Sequence, residues 1–189
     1  KRFTTALAAR SDVDDLAGNV RRLIAAVDAA RDEGTADDDL AVHVEVPTDL
    51  PGGLTHNWAR AADEVAAEEW SLHFRIHTPG LEPATPAQVA AWIDAALDRE
   101  TPFSFAAHAG SSTADQIGVA NLLLATRRSF DGADLGEVAQ ILTGHDPDAV
   151  RAHLRSEEFL PGARRWLRSA QVADLDVTAR DLNAFLLDG

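Results

Sequence analysis

The sequence predicts an α/β fold in which parallel strands are joined by crossover helices. Three observations carry this. Short β-forming segments alternate with amphipathic helical ones. The last three of the four segments start at residues 40, 71 and 102, a constant spacing of 31 residues, close to the ~30 residues a βαβ unit takes. Each of these three carries apolar residues on one face and polar residues on the other.

The elements follow in order. Phe3–Ala9 reads as the first strand. Ser11 and Asp14 form a capping-box pattern before Val13, Leu16, Val20, Leu23, Ile24 and Val27, which fall at helical spacing. Leu40–Val46 is the second strand, and Thr55 caps a helix carrying Trp58, Ala62, Val65 and Ala66. Ser71–Thr78 is the third strand. Thr85, Pro86 and Gln88 then supply a cap, a first-turn proline and a capping-box glutamine for the stripe Val89, Trp92, Ile93, Ala96 and Leu97. Pro102–Ala109 is the fourth strand. Thr113 and Gln116 suggest another capped helix, apolar nearly all round and therefore buried. Helices are expected at Leu135–Leu142, Pro147–Leu154, Ala163–Leu167 and Ala179–Leu187, with a weak strand at Val172–Leu175.

Repeated βα units suit a barrel or a doubly wound sheet. A full (β/α)₈ barrel usually takes ~250 residues, whereas this chain has 189 and offers four or five units. We therefore expect a partial or truncated (β/α) TIM-barrel-like fold with a helical C-terminal part, the alternative being a small doubly wound sheet. Residues 1–189 form a single domain in this reading, with βα repeats over 1–110 and mainly helix over 111–189.

Composition narrows the chemistry. The formal charge is −14 at pH 7, which opposes binding to nucleic-acid backbones and to anionic membranes. Cysteine is absent, removing thiolate metal sites and a Cys nucleophile. No apolar run approaches the ~18 residues of a membrane span, and cytoplasmic residence is expected. Lys1 is the only lysine, and the chain opens on it without Met. That start and the lack of any Met or Tyr suggest that pieces of the native protein lie outside this sequence. Arginine in place of lysine, with abundant Ala and Asp, suggests a GC-rich genome.

Candidate functional residues come from strand alternation. In the second strand Val42, Val44 and Val46 oppose His43 and Glu45; in the third Leu72, Phe74 and Ile76 oppose His73, Arg75 and His77; in the fourth Phe103, Phe105 and Ala107 oppose Ser104, Ala106 and His108. A strand covered by helices on both faces should be apolar on both. The polar face must therefore meet partners, water or ligand. Barrel sites lie at the strand C-terminal ends, where Glu45, His77 and His108 fall, with Arg75 one inward position below His77. Glu45 and a histidine suit general acid–base work, and Arg75 suits a carboxylate or phosphate. An internal structural network, or an open sheet with this face in water, would use the same residues. Glu45, His77 and His108 make a possible His/His/carboxylate metal set; they come from three strands, and we assign no metal site. His43, Ser104 and Asn121 complete the substrate-binding candidates.

The segments Glu45-Val46-Pro47, His73 to Gly80, Pro102 to His108, and Gly118, Asn121, Leu123, Leu124 and Ala125 together resemble a family of uncharacterised, TIM-barrel-like actinobacterial proteins. That family has an E-x-P strand end, a K-x-R-T-G-G-like strand end, a P-F-K-x-T-A-G-L-H-H segment and a G-F-x-N-x-L-L-x-A helix. The resemblance spans roughly residues 40–126 and implies the barrel-like fold. The family's strand lysines are similar to those of Schiff-base aldolases of the deoxyribose-phosphate type. Here Ser104 stands in place of the lysine, His108 in place of the glycine, and the paired histidines are missing. A lysine imine is therefore not expected. Two functions stay open: a small-molecule lyase or hydrolase acting on an anionic substrate, or a noncatalytic ligand-binding or interaction protein that has lost the family's lysine and histidines. Cofactor and oligomeric state are not legible.

Overall fold

A computed structural model of the chain describes residues 5–8, 15–48, 53–77, 82–106, 118–144, 147–156, 159–172 and 175–187. The elements are β1 (Thr5–Ala8), α1 (Leu16–Asp32), β2 (Val42–Glu45), α2 (His56–Ala67), β3 (Ser71–Arg75), α3 (Pro86–Leu97) and β4 (Phe103–Ala106). Next come α4 (Val119–Phe130), α5 (Leu135–Leu142), α6 (Pro147–Leu154), α7 (Phe159–Trp166), β5 (Leu167–Gln171) and α8 (Leu175–Leu187). All five strands pair in parallel, in the order β1-β2-β3-β4-β5. The fold is the expected α/β class with a parallel sheet. Among the described residues the order runs straight through from β1 to β5.

Helices cover one face of this sheet. Val42, Val44, Val46, Leu72, Phe74, Ile76, Phe103 and Phe105 share a single core with Val20 of α1, Trp58 and Val65 of α2, Val89, Trp92 and Ile93 of α3, and Leu122 of α4. Phe74 is the hub. Its ring stacks on Trp58 at 6.3 Å and Trp92 at 5.6 Å, and tilts against Phe103 at 6.0 Å and Phe105 at 5.4 Å. The Trp58 indole N–H also donates to the Val46 carbonyl at 3.3 Å, tying α2 to the end of β2. Helix α4, whose mainly apolar first two turns give way to a polar last turn (Arg127, Arg128 and Ser129), serves two cores: Leu122 and Ala125 join the main one, while Ala120 and Leu124 pack with Val150, Leu154 and Ala163 in a second.

The starts of two helices are those the sequence encodes. Thr55 accepts from the Trp58 N–H, and Thr85 and Gln88 close a full capping box. The first helix starts differently: its cap is Asp15, which accepts from the Gly18 N–H at 3.0 Å. The expected Ser11 and Asp14 pattern lies outside the described residues, as do Thr113 and Gln116. The fourth helix begins after extended Gly118 with no side-chain cap. Further along, α7 and α8 start earlier than expected, at Phe159 and Leu175. The weak strand expected at Val172–Leu175 falls instead at Leu167–Gln171. Pairing decides this: buried Leu167 stands beside Phe103, while Arg168, Ser169 and Gln171 are exposed, so the apolar alternation that marks a strand is absent.

Helices α1 to α4 end in one recurring lock. A residue enters the left-handed region, and the next N–H reaches a carbonyl five residues back. The pairs are Thr35 to Ala30, Trp70 to Val65, Thr101 to Ala96 and Ala133 to Arg128. The left-handed residues are Gly34 (φ 68°), Glu69 (φ 56°), Glu100 (φ 50°) and Gly132 (φ 92°). Glutamate has a Cβ and is strained there. Glu69→Gly and Glu100→Gly are each expected to stabilise the fold by about 1 kcal/mol, read as a higher urea midpoint. A lower midpoint would show that the glutamate side chains contribute more than the strain costs.

Candidate functional site

The face opposite the helices carries His43 and Glu45 from β2, His73 and Arg75 from β3, and Ser104 from β4. Register explains their meeting. Glu45 pairs with His73 across β2 and β3, and His73 pairs with Ser104 across β3 and β4. Residues at matched register in parallel strands point the same way. The row continues to Ser169 of β5, opposite Ser104. Ser169 and Gln171 are exposed, so this side of the sheet is open to solvent at β5.

Two linked groups result. In the first, Ser104 Oγ lies 2.9 Å from His43 Nδ1 and 2.8 Å from His73 Nδ1. All three residues are buried, at 5%, 3% and 1% exposure for His43, His73 and Ser104. Burial pushes both imidazoles below their usual range. For His43 the nearby Arg168 adds to that; for His73 the Glu45 charge opposes it, while Arg75 and His43 reinforce it. Both rings are therefore held neutral near pH 7.

The second group is a bidentate ion pair. Arg75 Nε donates to Glu45 Oε1 at 3.2 Å and Nη2 to Oε2 at 2.6 Å. This bonding raises the Arg75 pKa further, against a smaller opposing effect of burial. The pair is only partly buried, with side-chain exposures of 36% for Arg75 and 18% for Glu45. Two-point pairing fixes the guanidinium plane and leaves Nη1 for a further acceptor.

Of the sequence candidates, Glu45, Arg75, His43 and Ser104 are thus brought together. His77 follows β3 and is half-buried. His108 lies outside the described residues. Asn121 stands apart: its amide N–H donates to the Ile141 carbonyl at 2.8 Å, tying α4 to α5. Its Oδ1 is buried without a hydrogen-bond partner among the described residues. His73 belongs with the site candidates, and the signal for it was present: three successive strands put His43, His73 and Ser104 on one face. Arg168 and Ser169 were missed because β5 shows no alternation.

At the other end of the sheet, where strands begin, a cleft of ≈ 570 Å³ opens between Leu40, Ser71, Pro102, Arg168 and Ser169, and His43 reaches its wall. Among the described residues no group of three or more His, Asp or Glu is placed to hold a metal ion. No helix among them is long and apolar enough to cross a membrane. No family model, curated protein or solved structure matches the chain.

Proposed function

We propose that the polar face is the site of a small-molecule enzyme, a lyase or hydrolase acting on a small anionic substrate. The observation that carries this is the juxtaposition of two neutral imidazoles, bridged by a serine hydroxyl, with a bidentate and partly exposed Arg75–Glu45 pair. The arginine's remaining N–H groups receive a carboxylate or phosphate. A neutral imidazole beside it removes a proton from the bound molecule, or activates a water, as general base. Burial suits that role because it keeps the base unprotonated in mildly acidic solution. Among the described residues no lysine stands on this face, and the proposed chemistry does not run through an imine.

A noncatalytic binding role is the second reading. It is favoured by Ser104, which is fully buried and engaged by both rings, in the position where the resembling family carries a lysine.

A thermal-shift panel of carboxylic acids and sugar phosphates tests the proposal. At least one member is expected to raise the melting temperature of the native protein by several degrees, and Arg75→Ala is expected to abolish that rise. Silence across the panel, or an identical rise in Arg75→Ala, would overturn it. A rise without turnover of the bound compound selects the binding role.

A further inference from the structure

We propose that Ser104 is a positioning residue that joins His43 and His73 into a proton relay, running from the Glu45–Arg75 pair to the cleft at the strand N-terminal ends. The inference rests on the acid–base reading of this face, and adds to it a route by which a proton taken up there leaves through the cleft.

The argument starts from proton counting. A serine hydroxyl has one proton and two lone pairs. A neutral imidazole Nδ1 is either a donor or an acceptor. Ser104 Oγ has two short contacts, both to Nδ1 atoms, at 2.9 Å and 2.8 Å; its third polar neighbour, the Leu72 carbonyl, is at 3.5 Å. If both rings accepted, one contact would set lone pair against lone pair. If both rings donated, the serine proton would be left to the long Leu72 contact. Both short contacts are then made, but the hydroxyl proton sits on its longest contact; the mixed arrangement instead gives it a short acceptor: one ring donates Nδ1–H to Oγ, and the hydroxyl donates to the other ring's Nδ1. The two rings then hold opposite tautomers.

That arrangement moves a proton without leaving charge behind. The ring donating from Nδ1 has a lone pair on Nε2 and takes up a proton there. Its Nδ1–H passes to Oγ, the hydroxyl's own proton passes to the second Nδ1, and the second ring releases its Nε2–H. One proton enters and one leaves. Three N–H or O–H bonds form and three break. Both rings end neutral with tautomers exchanged, and the chain runs equally in reverse. Its two ends differ in surroundings. His73 stands in register with Glu45, beside the ion pair. His43 lines the cleft, where water can deliver or remove the proton. Burial suits the device, because neutral rings are what it requires.

Long-range ¹H–¹⁵N imidazole spectra of ¹⁵N-labelled protein at pH 7 read the tautomers directly, with His43→Gln and His73→Gln assigning the signals. The expected result is two neutral rings, one protonated at Nδ1 and the other at Nε2. In Ser104→Ala both rings should converge on one tautomer, and Ser104→Thr, which keeps the hydroxyl, should restore the opposed pair. Two rings both protonated at Nδ1, or either ring charged at pH 7, would overturn the relay. The wild-type and Ser104→Thr spectra decide the matter even if Ser104→Ala does not fold. Opposed tautomers with no ligand found would leave the relay standing and remove the enzyme reading. Matched tautomers with a bound anion would do the reverse.

Discussion

Phe74→Ala is expected to destabilise the protein by about 3–5 kcal/mol, the range for emptying a fully packed phenylalanine site. The side chain is 1% exposed and touches four aromatic rings, drawn from α2, α3 and β4. Rings so large and mutually stacked cannot collapse into the void without leaving their rotamers. The loss is a large fraction of a typical domain's total stability of roughly 5–15 kcal/mol. Urea unfolding should show it as a lower midpoint with an unchanged slope. The adjacent substitution Arg75→Ala is the control. Its side chain leaves the opposite face, is 36% exposed and pairs with a partly exposed glutamate, so its cost should stay within about 1 kcal/mol. Comparable losses at the two positions would mean that the ion pair is a structural element and that the polar face has no binding role.

Acidification from pH 7 to pH 5 is expected to weaken the fold, because His43 and His73 both titrate lower in the native state than in the unfolded chain. Between the unfolded value, ~6.5, and the depressed native values, the unfolded chain binds protons that the native one refuses. Stability is therefore complete above ~6.5 and declines as pH falls toward the native values. The limiting slope is about 1.4 kcal/mol per pH unit for each histidine. The charged groups acting on the two rings are Glu45, Arg75 and Arg168. Asp94, whose carboxyl burial and Asp98 push upward, acts with opposite sign: its native value lies above the unfolded one, so acid relieves that strain. Urea midpoints at half-unit pH steps measure the slope, and a His43→Gln, His73→Gln double variant should flatten it. A wild-type midpoint that is level from pH 7 to pH 5 would contradict the buried, neutral state of both rings.

Much of the sheet was legible because its signals are local. Three strands announce themselves by alternation, and Thr55 and Thr85 fix two helix starts through their own hydroxyls. The division of faces was also legible, since it follows from spacing two along each strand. What the sequence did not display was contact between side chains of different strands. That Ser104 would lie between two imidazoles depends on the β2–β3 and β3–β4 registers, which are set by pairing and not by any one segment. The last strand was misplaced for the same reason. Leu167–Gln171 has almost no apolar pattern and becomes a strand because β4 offers it an edge. Its arginine and serine entered the cleft unannounced.

The straight strand order has a consequence for synthesis. β1 through β4 each pair with the strand that follows them in the chain, so this part of the wall can assemble while it emerges from the ribosome. The fourth strand then waits while α4, α5, α6 and α7 are made before β5 arrives. Throughout that interval its outer rim offers bare amide and carbonyl groups beside Phe103 and Phe105, a template for another nascent copy. A chain ending at Ser156, with α4 to α6 but no final strand, should accordingly be recovered as aggregates, while the full-length chain stays dispersed.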